Sequence, residues 1–291
     1  MKGIILAGGS GKRLNPISKI ISKHLLPVYD KPMIYYPLST LMLSGIKDIL
    51  IITTPRDNNL FIDLLGNGSK LGLNIEYAIQ EKPKGLPDAF IVGQKFIGDD
   101  NVCLILGDNI FHSDTFINKY LIPCFKSDIP TVFAYNVSDP QRYGIVEFDN
   151  NQNVVSIEEK PKFPKSNYAV TGLYFFDKNA SEFAKHLKPS RRGETEIVDL
   201  CNHYLKNDQL KVKVLGRGVS WLDTGTPKSL HEAANYVEVL QSRQGLKIAC
   251  LEEIAYSQNY ISREQLLALA EPMKENDYGQ YLFNIANQNK V

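Results

Sequence analysis

The chain has 291 residues and a formal net charge of +1, with 33 basic against 32 acidic side chains and 43% hydrophobic residues. This length and hydrophobic content suffice for a sizeable core and exclude intrinsic disorder, which needs low hydrophobicity and high net charge. The charge balance speaks against nucleic acid or an acidic membrane as partner, both of which need a net basic field. What remains is a soluble enzyme or small-ligand binder.

In chain order, the first apolar run, residues 4–7, is too short for a signal-peptide core and passes straight into glycines and charges, which predicts a buried strand. No apolar run approaches the roughly 18 residues of a membrane helix. Residues 48–53, 74–79 and 102–106 are further strand-length apolar runs, and 32–44, 57–65 and 87–96 carry helical periodicity between them. This alternation predicts right-handed βαβ units in a Rossmann-like, mostly parallel α/β sheet flanked by helices. Residues 131–137, 144–148, 154–158 and 168–176 are strand-like with short turns and predict an inserted antiparallel portion. Beyond Trp221 the pattern is helical, over 228–241, 263–270 and 279–287.

Cys103, Cys124, Cys201 and Cys250 are scattered without a C-x-x-C pair. They could form two disulfides, but in a domain of this size they fit buried thiols in a reducing, cytoplasmic compartment. His24, His112, His186, His203 and His231 show no metal-ligand cluster, so zinc is not expected.

The first predicted strand ends in Gly8-Gly9-Ser10-Gly11-Lys12-Arg13-Leu14. Glycines at the carboxyl end of a strand let backbone approach a phosphate. A P-loop would need Gly at Leu6 and Ser or Thr at Arg13, and a dinucleotide fingerprint would need Gly or Ala at Leu14. Lys12, Arg13, Lys19, Lys23 and Lys31, opposed only by Asp30, concentrate positive charge beside the turn. A solvated face is the ordinary reading of such a run; beside a glycine turn it points to a polyphosphate.

The ordered motifs resemble the sugar-1-phosphate nucleotidylyltransferases nearly end to end. They are Gly8-Gly9-x-Gly11-x-Arg13-Leu14-x-Pro16, Lys23-x-Leu25-Leu26-Pro27-Val28, Lys31-Pro32-Met33-Ile34-Tyr35-Tyr36-Pro37-Leu38, Gly107-Asp108-Asn109, Glu158-Glu159-Lys160-Pro161 and Trp221-Leu222-Asp223-Thr224-Gly225-Thr226, with the tail Gln265-Leu266-Leu267-Ala268-Leu269-Ala270. The Lys31 to Leu38 stretch is most similar to the members that join dTTP to glucose 1-phosphate. The resemblance implies a nucleotidyltransferase unit over 1–245, with a nucleotide half at about 1–130 and a sugar-binding half at about 131–227, and a helical interface or regulatory tail over 246–291. It also implies Mg²⁺ as cofactor, a homotetramer, and feedback by dTDP-rhamnose.

Asp108 and Asp223 are by themselves ordinary turn or cap residues. Two carboxylates with substrate phosphates also make a shell for Mg²⁺, and the family's matching aspartates imply that role for both. The implied catalytic residues are Arg13, Lys23, Asp108 and Lys160. Leu6, Gly8, Gly9, Gly11, Gln80 and Gly85 match nucleotide-binding positions, the last two at the base. Asn109, Gly144, Glu159, Lys160, Val170 and Arg192 match sugar-binding ones. The nucleophile is a phosphate monoester with a second pKa near ~6, already ionised, so no general base is required. Four departures stand out: Lys12 and Ser18 for Thr, His24 for Gln, and Leu86-Pro87-Asp88 for Leu-Ala-Gln at the border of the base pocket. The last leaves UTP or CTP open as nucleotide. A non-catalytic nucleotide-sugar sensor would be expected to have lost one of Arg13, Lys23, Asp108 and Asp223, and all four are present.

The apolar periodicity of the tail, with Tyr256, Tyr260, Tyr278, Tyr281 and Phe283 as exposed candidates, fits intrachain packing or a subunit interface.

Overall fold

The computed structural model describes residues 1–9 and 11–288. Ser10 of the glycine turn lies outside the described residues. Strand β1 (Lys2–Ala7) turns Ile5 and Ala7 to one face and Ile4 and Leu6 to the other, all of them buried. Burial on both faces is the signature of a central parallel strand.

A small hairpin of β2 (Pro27–Val28) and β3 (Lys31–Pro32) leads into α1 (Tyr35–Leu43), β4 (Asp48–Thr53), α2 (Asn58–Leu65) and β5 (Asn74–Ile79). β4 pairs parallel with β1, and β5 with β4. Helices α3 (Asp88–Val92) and α4 (Gln94–Ile97) precede β6 (Val102–Leu106), which pairs parallel with the opposite edge of β1. That reversal makes a topological switch point between β1 and β6, where open α/β sheets hold ligands.

Two predicted helices differ. The one expected from residue 32 starts at Tyr35, because Pro32 is used in the hairpin. The one expected over 87–96 is broken at Gly93, where a Cβ would stand 2.8 Å from Ile4 Cδ1. The missing side chain brings the helical segment down onto the sheet.

The second half runs through β7 (Asn109–His112), α5 (Ile122–Phe125), β8 (Thr131–Asn136), β9 (Gly144–Phe148), β10 (Val154–Glu159), β11 (Tyr168–Phe176), α6 (Ala180–Lys185), α7 (Ile197–Lys206), β12 (Lys211–Val214), β13 (Ser220–Asp223) and α8 (Pro227–Gln244). β11 pairs antiparallel with β6, β8 and β9, β10 antiparallel with β9, and β12 parallel with β8. The predicted antiparallel portion is present and continuous with the parallel strands, in a sheet that is nine-stranded among the described residues. β7 and β13 form their own antiparallel ladder, with Asp223 opposite Asn109.

One face of the sheet packs on α3, α4, α6 and α7, the other on α1 and α2. Over α1 lie α9 (Leu251–Ser257), α10 (Arg263–Ala270) and α11 (Asp277–Asn287). The five tail aromatics expected to be exposed are instead half-buried against that core. Three hydroxyls are also engaged: Tyr260 donates to the Met42 carbonyl, Tyr278 to Glu252 and Tyr281 to Glu253. All four cysteines are free and buried. Among the described residues no helix is long and apolar enough to cross a membrane.

Candidate active site

The carboxyl ends of β1 and β6 open onto a cleft of about 570 Å³. Its lining contains Leu6, Gly8, Gly9, Arg13, Lys23, Gln80, Gly85, Asp108, Asn109, Gly144, Glu159, Lys160, Val170, Arg192 and Asp223, residues drawn from across the chain. Gly11 alone of the sequence-predicted set is not in the lining. Its φ of 58° turns the loop, and its carbonyl accepts from the Ser18 hydroxyl at 2.7 Å. That bond explains why Ser serves at position 18: the hydroxyl is what the loop uses.

At the glycine-turn end, Lys23 pairs with Asp108. Burial pushes the Asp108 carboxyl up, but the Lys23 ammonium and hydrogen bonds from Lys23 and Asn109 hold it well below the usual carboxylate range. Asp223 goes the other way. Burial and the Asp108 charge raise its pKa, against Lys23, Arg13 and Arg142. The Arg142 guanidinium stands 3.4 Å from Asp223 Oδ2 and 2.8 Å from Asp139 Oδ2.

The two aspartates are fixed relative to one another by Thr224, whose backbone N–H and hydroxyl both donate to the Asp108 carbonyl, at 3.1 and 2.8 Å. Asn109 completes the brace. Its Nδ2 donates to Asp108 Oδ1 at 3.1 Å, and its Oδ1 accepts from Trp221 Nε1 at 2.6 Å and from the Gly172 N–H at 3.2 Å. A Cβ on Gly172 would run into that Oδ1.

His24 is buried behind Lys23, within 3.1 Å of the Ser22 hydroxyl. Burial and the neighbouring Lys23 charge push its pKa down to about 3. The imidazole is therefore neutral at physiological pH, chemically close to the glutamine usual in the family.

At the other end, Glu159 lies opposite Gly144 in the β9–β10 ladder. A Cβ on Gly144 would meet Val198 Cγ2 at 2.7 Å and Glu159 Oε2 at 3.4 Å. Lys160 adopts a φ of 45°, held by its N–H donating to the Tyr143 carbonyl at 2.9 Å, and its ammonium reaches Glu159 at 2.8 Å. Arg192 donates to Glu159 at 3.0 Å and to Glu196 at 2.6 Å. It is thus already engaged by two carboxylates. The Ser190 hydroxyl also donates to Glu196, at 2.6 Å.

Gly85 has a φ of 115°, and a Cβ there would collide with the Thr195 carbonyl. Its lack of a side chain serves the crossing of residues 84 and 195, where the Thr195 N–H donates to the Lys84 carbonyl at 2.8 Å. Sequence reasoning assigned no role to Arg142, Tyr143, Trp221 or Glu196, which also line the cleft. Arg142 and Tyr143 directly precede the predicted Gly144, and Trp221 opens the motif that holds Asp223; Glu196 gives no local signal. Among the described residues no group of three or more His, Cys, Asp or Glu side chains is placed to hold a metal, so a cation here would rest on the aspartate pair and ligand oxygens.

A family model described as nucleotidyl transferase matches residues 2–239. The glucose-1-phosphate thymidylyltransferase of Neisseria meningitidis serogroup A is 59% identical over 98% of this chain and 99% of its own length. That of Mycobacterium tuberculosis is 51% identical over 99% and 100%. A Bacillus anthracis crystal structure described as a glucose-1-phosphate thymidylyltransferase, in complex with a sucrose, superposes with a TM-score of 0.75 at 42% identity, covering 81% of this chain and 94% of that one. A UDP-glucose pyrophosphorylase complexed with UDP-glucose has the same fold, with a TM-score of 0.73 at 24% identity over 82% and 98%. With the family match over most of its length and relatives above half identity from end to end, the chain belongs to the nucleotidyl transferase family, among the glucose-1-phosphate thymidylyltransferases.

Proposed function

We infer that this chain transfers the thymidylyl group of dTTP to α-D-glucose 1-phosphate, giving dTDP-glucose and pyrophosphate. The observation that carries the reading is the single cleft, which joins a glycine turn with cations at one end to Glu159, Lys160 and Arg192 at the other. The nucleophilic phosphate is ionised near neutrality, its second pKa being about 6, so the side chains have to gather anions and need remove no proton. Gly8 and Gly9 admit the triphosphate to the backbone, and Arg13 and Lys23 offset its charge. Lys160 and Arg192 meet the sugar phosphate, Glu159 accepts from glucose hydroxyls, and Asn109, Gly144 and Val170 shape the sugar site. Leu6, Gln80 and Gly85 border the base. Fixed charges in a partly dry cleft cost no reorganisation as the anions meet.

Asp108 and Asp223 would hold Mg²⁺. The donor set fits: both are oxygen ligands, and Asp223 is pushed up by burial and by its neighbour's charge, a strain that a hard dication relieves. Bound there, Mg²⁺ supplies charge neutralisation and polarises phosphoryl oxygens.

Pyrophosphate release from glucose 1-phosphate with dTTP, UTP or CTP, with and without Mg²⁺, tests both statements. No turnover with any nucleotide removes the activity, and unchanged turnover in Asp108→Asn and Asp223→Asn removes the metal site. By the same resemblance the protein acts in the cytoplasm as a homotetramer, in dTDP-rhamnose and polysaccharide biosynthesis, under feedback by dTDP-rhamnose. A monomer in sedimentation, or activity indifferent to dTDP-rhamnose, overturns that part.

A further inference from the structure

Gln80 follows β5, and its side chain is buried. Its Nε2 donates to Oδ2 of Asp88 at 2.8 Å, a bond between two buried groups. Its Oε1 faces the glycine turn, where a Cβ on Gly8 would stand 2.8 Å from it. Gly8, Gln80 and Gly85 line the cleft, whereas Asp88 lies behind Gln80, outside the lining. The departure noted in the sequence builds this contact: Pro87, at a φ of −60°, opens the turn whose first helical residue is Asp88.

A carboxylate offers only acceptors, so it fixes which end of the amide is which. Rotated by a half-turn, Gln80 would set its Oε1 against the Asp88 oxygen, two lone pairs face to face in a buried site. We propose that Asp88 is a positioning residue for base choice. It locks the Gln80 amide with the acceptor toward the cleft, so that the pocket takes the N3–H of thymine or uracil and refuses the bare N3 of cytosine. The inference rests on the proposed function, which sets the base at Gln80. In that pose thymine and uracil donate from N3 to Oε1. Cytosine presents a lone pair at the same place and needs the flipped amide that Asp88 opposes. A site built around one hydrogen bond rejects the analogue that cannot make it more strongly than it rejects a difference in size.

The test measures kcat and KM for dTTP, dUTP and dCTP, at saturating glucose 1-phosphate and Mg²⁺, in the wild type and in Asp88→Asn. The asparagine keeps the shape but can accept from Nε2 or donate to Oε1, satisfying either amide orientation. The expected result is a kcat with dTTP close to wild type and a ratio of kcat/KM for dTTP over dCTP reduced about 10- to 100-fold, the size of a hydrogen bond to a charged group. The change falls on the KM of dCTP, and dUTP behaves as dTTP does. A purely structural role would lower all three nucleotides together and leave the ratio alone. Asp88→Ser, whose hydroxyl also donates or accepts, carries the same expectation if the asparagine variant is unstable. An unchanged ratio in a folded variant that turns over dTTP overturns this inference alone. A wild type that turns over no nucleotide overturns the proposed function, and this inference with it.

Discussion

At the glycine-turn end of the cleft, proposed to take the phosphates, Lys23 and Asp108 form an ion pair with side-chain exposures of 16% and 9%; at the proposed sugar end, Lys160 and Arg192 are each 44% exposed and share Glu159. The difference follows from where the chain places them. Asp108 comes directly off the central strand β6 and is braced from β13 by Thr224, so it has little freedom. Lys160 follows β10 and Arg192 stands on the loop between α6 and α7, and the two cations compete for Glu159. A buried pair loses much when one member is removed, because the other is left charged and dry, whereas exposed pairs are screened and contribute little each. The phosphate end is therefore rigid and intolerant, and the sugar end is a network with spare connections.

The largest effect is expected at the buried pair. Lys23→Ala removes both the charge proposed to face phosphate and the partner of Asp108, and kcat should fall by about 10²–10³ in steady-state assays. A fall of less than tenfold would break the comparison by showing that the buried charge does little. Next comes the brace. Gly172→Ala sets a methyl against Asn109 Oδ1 and 2.8 Å from Leu106 Cδ1. It should lower stability by about 1–3 kcal/mol in urea unfolding, reduce kcat through Asp108 and raise the KM for glucose 1-phosphate through the displaced Asn109. Smaller still, Arg192→Ala should raise that KM by about two- to fivefold, one half-exposed charge's worth of uniform binding, with kcat nearly kept. Equal losses in kcat and kcat/KM would instead place Arg192 in the transition state.

The parallel strands were legible because β4 and β6 are apolar, β-branched runs and β5 alternates Ile75, Tyr77 and Ile79 with Asn74 and Glu76, and their bounds at 48–53, 74–79 and 102–106 agree with the structure. The ladder of β7 and β13 was not. Each has four residues, and β7 follows β6 after only Gly107 and Asp108, so no break in hydrophobicity announces it. Helix α7 was also missed, although its pattern is regular: Ile197, Val198, Leu200, Cys201 and Tyr204 are buried on one face, and Asp199, Asn202 and His203 lie on the other. The residues of the site could be named from their motifs, but their partners could not. That Gln80 meets Asp88, that Arg192 divides itself between Glu159 and Glu196, and that Gly85 yields to Thr195 are contacts made by the fold, with no signature in local sequence.

The smallest expected effect is one of pH at the exposed end. Burial pushes the Glu196 carboxyl up, but hydrogen bonds from Arg192 and Ser190 outweigh it and hold the pKa below the ordinary 4.5. A carboxylate with a depressed folded pKa contributes stability that is fully present above its unfolded pKa and is lost as pH falls through the folded value. The difference in urea midpoint between wild type and Glu196→Gln should therefore be constant from about pH 7 down to about pH 5 and shrink below that. Its plateau should stay under about 1 kcal/mol, since Arg192 is partly solvated and retains Glu159 as a second partner. In the Arg192→Ala background the pH-dependent part should shrink, because the larger of the contributions that lower Glu196 is gone. If it persists at full size, Ser190 alone sets the Glu196 carboxyl, and the sugar end is held by a single hydroxyl contact in place of a shared network.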